Sequence, residues 1–283
     1  RLKYEIETIH KANLASYFLV VQDYLQWARE NNIQLGPGRG SVNGSLMAFC
    51  VRITQVDPIK FDLIYERFLN PGRLTTGSLA DIDSDFDPNG RSRVIDYIRA
   101  KYGKTNVAQI ATFGTLGARG VLKDVTRALG LEYRLGVELS NLIPDPKHGK
   151  AYTLAESVEM SSQLKDLLED KTTQASRVIT AGLKLEGRVR QPGVHASGYT
   201  ISPVPLSEII PLFKSKEDEA VTQYDKNILE ELGIIKFDLL GLINLSIIKK
   251  TLELIKQRKN LDIDIDSIDL TDEKVFSNLR AGD

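Results

Sequence analysis

The stretch Leu79-Ala80-Asp81-Ile82-Asp83-Ser84-Asp85-Phe86 places three aspartates at every second position. Read as a strand, its period of two puts Asp81, Asp83 and Asp85 on one face and Ile82, Ser84 and Phe86 on the other. Adjacent carboxylates repel one another and each resists desolvation, so a fold that keeps them together needs a neutralising cation, most simply a divalent metal. Aspartate is also depleted in strands, which is expected where function overrides local preference. A solvated acidic turn accommodates the same residues, and the pattern alone leaves both readings open.

With 283 residues, 42% of them hydrophobic and 27% charged, the chain is long enough for two or three packed units. No apolar run approaches the roughly 20 residues that cross a bilayer, and no basic-then-apolar leader is present. The single Cys50 excludes an internal disulfide framework and a cysteine-based zinc cluster, which suits a reducing, cytoplasmic setting. A net charge of -1 does not advertise a nucleic-acid binder, so any such role must come from local patches. The chain lacks an initiating Met and closes on Arg280-Ala281-Gly282-Asp283 after a helix-like segment, so a piece of something longer is expected.

Apolar residues at Ile6, Ile9, Phe18, Val21, Leu25 and Ala28 predict two helices broken at Asn13. Gly36-Pro37-Gly38-Arg39-Gly40-Ser41 then opens into a helix-like run from Leu46 to Val51. Such a loop offers backbone N–H groups to a phosphate, with Arg39 and Ser41 adding charge and a hydroxyl. It is neither a Walker A loop nor a dinucleotide fingerprint, and by itself it reads first as a structural turn. Phe61, Ile64, Tyr65 and Phe68 predict a short amphipathic helix carrying Arg67, with Arg73 close behind. A helix from Asn89 to Tyr102 stops at Gly103, and Val107 to Phe113 reads as a buried strand.

From Gly114 to about Gly187 the pattern is helical, with stretches at Leu116–Leu129, Leu135–Ile143, Leu154–Met160, Gln163–Leu168 and Thr173–Leu185. Arg119, Lys123, Arg127 and Arg134 give it a basic bias that suits phosphate contacts and solvated helix faces equally. Val194 to Ile201 reads as a strand holding His195, a residue type more often satisfied in a core than catalytic. Ile234 to Leu240 is a second apolar strand, and its Lys236 and Asp238 share a face in a way packing alone does not explain. After an amphipathic helix from Leu242 to Ile255, Leu261-Asp262-Ile263-Asp264-Ile265-Asp266 repeats the alternating aspartates without a glycine-rich loop nearby, and reads as a solvated edge or loop.

Several blocks, taken together and in order, resemble the catalytic core of bacterial DNA polymerase III alpha subunits, the C-family replicative polymerases. They are Tyr17-Phe18-Leu19-Val20-Val21, Gly36 to Ser41 with Gly44-Ser45, Phe61-Asp62-Leu63 through Glu66 to Pro71, Asp81 to Phe86, Thr112 to Thr115, His195 to Gly198, and Lys236 to Leu242. The resemblance implies an α+β fold: a polymerase beta-like nucleotidyltransferase palm with a mixed sheet, interrupted by a helical thumb. It implies palm at 1–112 and 188–243, thumb at 113–187, and the beginning of the fingers at 244–283. It further implies template-directed DNA synthesis using two Mg²⁺ held by Asp81, Asp83 and Asp238, with Asp85 in support. Gly40, Ser41 and Lys236 are the implied triphosphate contacts, with Arg39 and Arg67 as further nucleotide contacts and Arg119, Lys123 and Arg127 as DNA contacts.

Implied partners are primer-template DNA, deoxynucleoside triphosphates and, through regions outside this chain, a sliding clamp and other replisome subunits, with no membrane. Alternatives are another polymerase beta-like nucleotidyltransferase acting on a small acceptor, or a DNA-binding core inactive without the rest of the fingers; the chain alone is expected to be inactive. Ala80 stands where the family usually has proline, and the Arg73 to Asp81 segment is a few residues longer than usual.

Overall fold

Asn13 adopts the left-handed conformation (φ 55°) and separates α1 (Leu2–Lys11) from α2 (Ala15–Glu30), at the predicted break. The computed structural model describes residues 1–70, 72, 81–147, 149, 151–215, 218–269 and 271–282. Arg73, Ala80 and the longer segment before Asp81 therefore lie outside the described residues, apart from Asp81 itself. The fold is α+β, with a mixed six-stranded sheet in the order β1-β6-β3-β2-β5-β4. The strands are β1 (Asp83–Phe86), β2 (Val107–Thr115), β3 (Val189–Ile201), β4 (Leu212–Lys214), β5 (Ala220–Thr222) and β6 (Lys236–Gly241).

The chain forms two compact units, Arg1–Ala111 with Val194–Asp283 and, separately, Thr112–Gly193. In the first, α2 buries Tyr17, Phe18, Val21, Tyr24, Leu25 and Ala28, which pack in one cluster with Ile82, Phe86, Phe237 and Leu239 of the sheet. After the short α3 (Leu46–Cys50), α4 (Pro88–Tyr102) adds Val94, Ile95 and Ile98 to that cluster; Asp87 caps α4 by accepting from the Gly90 amide at 2.8 Å, and Pro88 occupies its first turn. Gly103, at φ 100°, ends it as predicted.

The second unit is helical, with α5 (Ala118–Ala128), α6 (Tyr133–Asn141), α7 (Leu154–Met160), α8 (Ser162–Glu169) and α9 (Gln174–Leu185). Val121, Leu122, Leu139, Leu154, Leu164, Val178 and Ile179 form its core.

The predicted helix over Phe61–Asn70 is replaced by turns and a short 3-10 segment, Tyr65–Arg67. Asp62 takes φ 49° and interrupts the stretch, so Tyr65 and Phe68 are buried while Phe61 and Ile64 stay exposed. The repeated aspartates at 262–266 lie in a loop that meets a 3-10 turn, Ile265–Ser267, as expected for a solvated segment. α10 (Lys226–Glu231) precedes β6, and α11 (Ile243–Lys259) and α12 (Glu273–Ala281) follow it. Among the described residues no helix is long and apolar enough to cross a membrane.

Candidate metal centre

The period-two pattern that opened the sequence holds in three dimensions. Ile82, Ser84 and Phe86 are buried, and α2 holds them: the Ile82 amide donates to Tyr17 Oη at 2.9 Å, and Tyr24 Oη lies 2.9 Å from Ser84 Oγ. Asp83 and Asp85 face the other way, and Asp81 stands just before the strand. The sheet then supplies the third carboxylate. β1 runs parallel to β6 with Asp83 opposite Asp238, and β3 runs antiparallel on the other side of β6 with Gly198 opposite Asp238. Residues opposite one another in a ladder share a face, so Asp238 joins Asp83 across about 5 Å of sheet. Carboxylate oxygens of Asp81, Asp83 and Asp238 all lie within 4.8 Å of one another.

Among the described residues, Lys236 is the cation that forms ion pairs with this group. Lys236 Nζ lies 2.5 Å from Asp238 Oδ2 and 3.4 Å from Asp81 Oδ2. Asp238 is 3% exposed. Burial opposes its ionisation, but the hydrogen bond and charge of Lys236, with the Ser197 hydroxyl, hold it below the usual carboxylate range. Asp81, whose side chain is 54% exposed, is pushed up to about 6 by partial burial and by the Asp238 charge, against the pull of Lys236. Asp83 is also raised, by burial and then by Asp238. Burial would lower the Lys236 ammonium, and its two carboxylate partners outweigh that and raise it.

The family model for the "Bacterial DNA polymerase III alpha NTPase domain" matches residues 1–241, and that for the alpha subunit finger domain matches residues 244–283. The chain belongs to the bacterial DNA polymerase III alpha family. It is 43% identical to DNA polymerase III subunit alpha of Aquifex aeolicus over 301 aligned residues, covering 100% of this chain and 26% of that protein. The corresponding figures are 42%, 100% and 23% for the Thermus aquaticus subunit, and 42%, 100% and 25% for that of Bacillus subtilis. The chain thus spans about a quarter of the length of the curated relatives it matches.

The remaining candidates divide. Leu35 bridges to Phe86 and the Gly36 amide donates to the Asp85 carbonyl at 3.0 Å, which brings the root of the glycine-rich loop against the acidic strand. A Cβ on Gly36 would fall 2.8 Å from the Asp85 Cβ, so this approach requires glycine. Gly40 (φ 68°) and Ser41 are exposed at the start of a 3-10 segment, Gly40–Gly44, whose Val42 and Gly44 are buried. Arg39 grips Asp85, with Nη2 to Oδ1 at 3.0 Å and Nε to Oδ2 at 3.2 Å, so its guanidinium braces the loop on the strand. Asp85 is outside the carboxylate cluster. Arg67 is exposed and forms no ion pair among the described residues.

In the helical unit Arg119 pairs with Asp145 at 2.8 Å, Arg127 pairs with Asp124, and Lys123 is half-buried. Two further contributors have no periodicity or spacing that singles them out, although Ser197 lies within the His195 to Gly198 block. Arg91 on α4 donates through Nε to the Leu239 carbonyl at 2.6 Å and through Nη2 to the Ala196 carbonyl, tying together the strands beside Asp238. The Ser197 hydroxyl donates to Asp238 Oδ1 at 3.0 Å. A lone hydroxyl in a strand, or an arginine on a helix, has no pattern that marks it in advance.

Proposed function

We propose that this chain is the palm and thumb, with the first part of the fingers, of a template-directed DNA polymerase that transfers dNMP to a primer 3′ hydroxyl and releases pyrophosphate. The observation that carries it is the meeting of Asp81, just before β1, Asp83 in β1 and Asp238 in β6, far apart in sequence, beside Lys236. Among the described residues three carboxylates share the Lys236 ammonium, and burial, followed by the Asp238 charge, raises Asp81 and Asp83. An all-oxygen donor set of this kind fits magnesium, which keeps several waters and substrate oxygens. Asp81, Asp83 and Asp238 would hold two Mg²⁺, which supply activation of the primer hydroxyl and charge neutralisation at the triphosphate when bound.

In this reading Gly40 and Ser41 bind the triphosphate and Lys236 lies close enough to the carboxylates to neutralise it. Arg39 holds the loop in place through Asp85, and Arg67 remains an open nucleotide contact. Residues 1–112 and 188–243 form the palm, 113–187 the thumb and 244–283 the start of the fingers, with Arg119, Lys123 and Arg127 gripping the duplex. Clamp and replisome contacts belong to parts outside this chain, and the chain alone is inactive.

In the full-length subunit, Asp81→Asn, Asp83→Asn and Asp238→Asn should each abolish nucleotide incorporation while primer-template binding survives. Near-normal incorporation by any one of the three would sink the assignment.

A further inference from the structure

His195, Ala196, Ser197 and Gly198 depart from what an extended strand dictates. Side chains alternate along a strand, and Gly198 is the residue opposite Asp238, so Ser197 belongs on the face away from the Asp238 carboxylate. Its hydroxyl is nevertheless 3.0 Å from Asp238 Oδ1, with Ser197 only 6% exposed. The cause is local. His195 Nδ1 accepts the Gly198 amide at 2.8 Å and lies 3.3 Å from the Ser197 amide nitrogen. Three residues of extended chain span about 10 Å, so the backbone must fold back around the imidazole to make these bonds. A Cβ on Gly198 would meet Nδ1 at 2.9 Å, so the bend closes only on glycine. Arg91 fastens the outside of the bend through the Ala196 carbonyl.

Counting protons fixes the direction of each bond. Nδ1 has one lone pair, already directed at backbone N–H groups, so the ring is neutral with its proton on Nε2. Ser197 Oγ is 3.4 Å from that occupied nitrogen and 3.0 Å from a carboxylate oxygen, so its single proton goes to Asp238. Asp238 is thereby held at both oxygens, Oδ1 by Ser197 and Oδ2 by Lys236. Partners of this kind set the orientation of a metal ligand.

We propose that His195 and Ser197 are positioning residues for Asp238: the imidazole holds the bend, the bend aims the hydroxyl, and the hydroxyl sets the rotation of the carboxylate toward the cation. The inference rests on the reading of the carboxylate cluster as a cation site. It assigns His195 an accepting role at Nδ1 and no proton transfer.

The test is Mn²⁺ titration of the full-length subunit by electron paramagnetic resonance. Binding at this site is defined as what Asp238→Asn removes, and near-ultraviolet circular dichroism reports on the fold. Ser197→Ala and His195→Leu should each weaken that binding by about 10- to 100-fold. His195→Asn should bind as the unmodified protein does and retain nucleotide incorporation, because the asparagine Oδ1 stands where Nδ1 stands and accepts the same amides. Unchanged Mn²⁺ affinity in Ser197→Ala overturns the role of the hydroxyl. His195→Asn binding Mn²⁺ as weakly as His195→Leu overturns the bend, and His195→Asn binding normally but failing in incorporation shows chemistry at Nε2 and overturns the purely positioning role. If His195→Leu misfolds, Ser197→Ala and His195→Asn still decide. Identical titrations for the unmodified subunit and Asp238→Asn overturn the cation reading and the inference with it.

Discussion

Lys236→Met removes the ammonium paired with the carboxylate cluster and leaves Asp238, 3% exposed, without its charge partner. Breaking a buried pair from one side costs about 3–5 kcal/mol, because the remaining charge is stranded. Asp238 has one escape, which is to take a proton. For a carboxyl with an ordinary pKa of 3.8, protonation costs about 4 kcal/mol at pH 7 and about 1.6 kcal/mol at pH 5. That caps the loss, so the metal-free variant should be less stable by about 3–4 kcal/mol at pH 7 and by under about 2 kcal/mol at pH 5. The Lys236–Asp81 contact adds little, since Asp81 is half-exposed and its pairing is screened by water.

The signs are opposite in the two proteins. In the unmodified chain the Asp238 pKa is depressed, so its stabilisation is present above 3.8 and is lost as pH falls through the lower folded value. In Lys236→Met the folded pKa is raised, and stability is lost as pH rises through it. Urea unfolding in EDTA, followed by fluorescence of Trp27, measures this. Trp27 is the sole tryptophan, stacks on Tyr97 with centroids 4.5 Å apart, and lies in the same unit as the site. Adding Asp238→Asn to Lys236→Met should recover much of the loss, and so should saturating Mg²⁺ added to the single variant. A loss below about 1 kcal/mol at pH 7, or one that does not change with pH, would refute the stranded-charge account.

Asp81, raised to about 6, must shed its proton before it can serve as a ligand. Mn²⁺ affinity should therefore hold above about pH 6 and decline below it by up to about tenfold per pH unit, and a flat titration between pH 5 and 7 would remove Asp81 from the ligand set. In the helical unit, Arg119 and Arg127 already have carboxylate partners, yet Asp145 is 92% exposed and such pairs are weak. Neutralising Arg119, Lys123 and Arg127 together should weaken duplex binding and reduce the salt slope by up to about 2.7, near 0.9 for each phosphate that no longer meets a cationic side chain. An unchanged slope measured by fluorescence anisotropy would return all three to solvated faces.

The acidic strand was legible in the sequence because its two faces obey different physics. Ile82, Ser84 and Phe86 are buried on α2 while the aspartates remain opposite, and period two suffices to say so. The charged pair Lys236 and Asp238 within an apolar strand was legible for the same reason. That Asp83 and Asp238 are register partners was not, since it follows from a strand order set by contacts far apart in sequence. Periodicity misled at Phe61–Asn70, where helical spacing of four apolar residues was overridden by a left-handed Asp62. β4 and β5, three residues each, are too short to show any period. Ser197 was hidden more deeply, because its strand position puts its side chain on the wrong face until the His195 bend is known.

The supports of the cluster are separate and each is local. Tyr17 and Tyr24 hold the backbone and buried face of the first acidic segment, Arg91 ties β6 to the bend beside it, and Arg39 anchors the glycine-rich loop through Asp85. A cation site built this way has an asymmetry among its carboxylates. Asp238 is buried and held at both oxygens, whereas Asp81 is half-exposed and partly protonated near pH 6. A ligand fixed in advance sets the geometry for a bound ion, because its reorganisation has already been met by folding. An open ligand with a raised pKa is the one whose coordination can change as ions and substrate oxygens come and go. Loss of a support around Asp238 should therefore weaken ion binding at every pH, whereas a change confined to Asp81 should shift the pH at which binding begins.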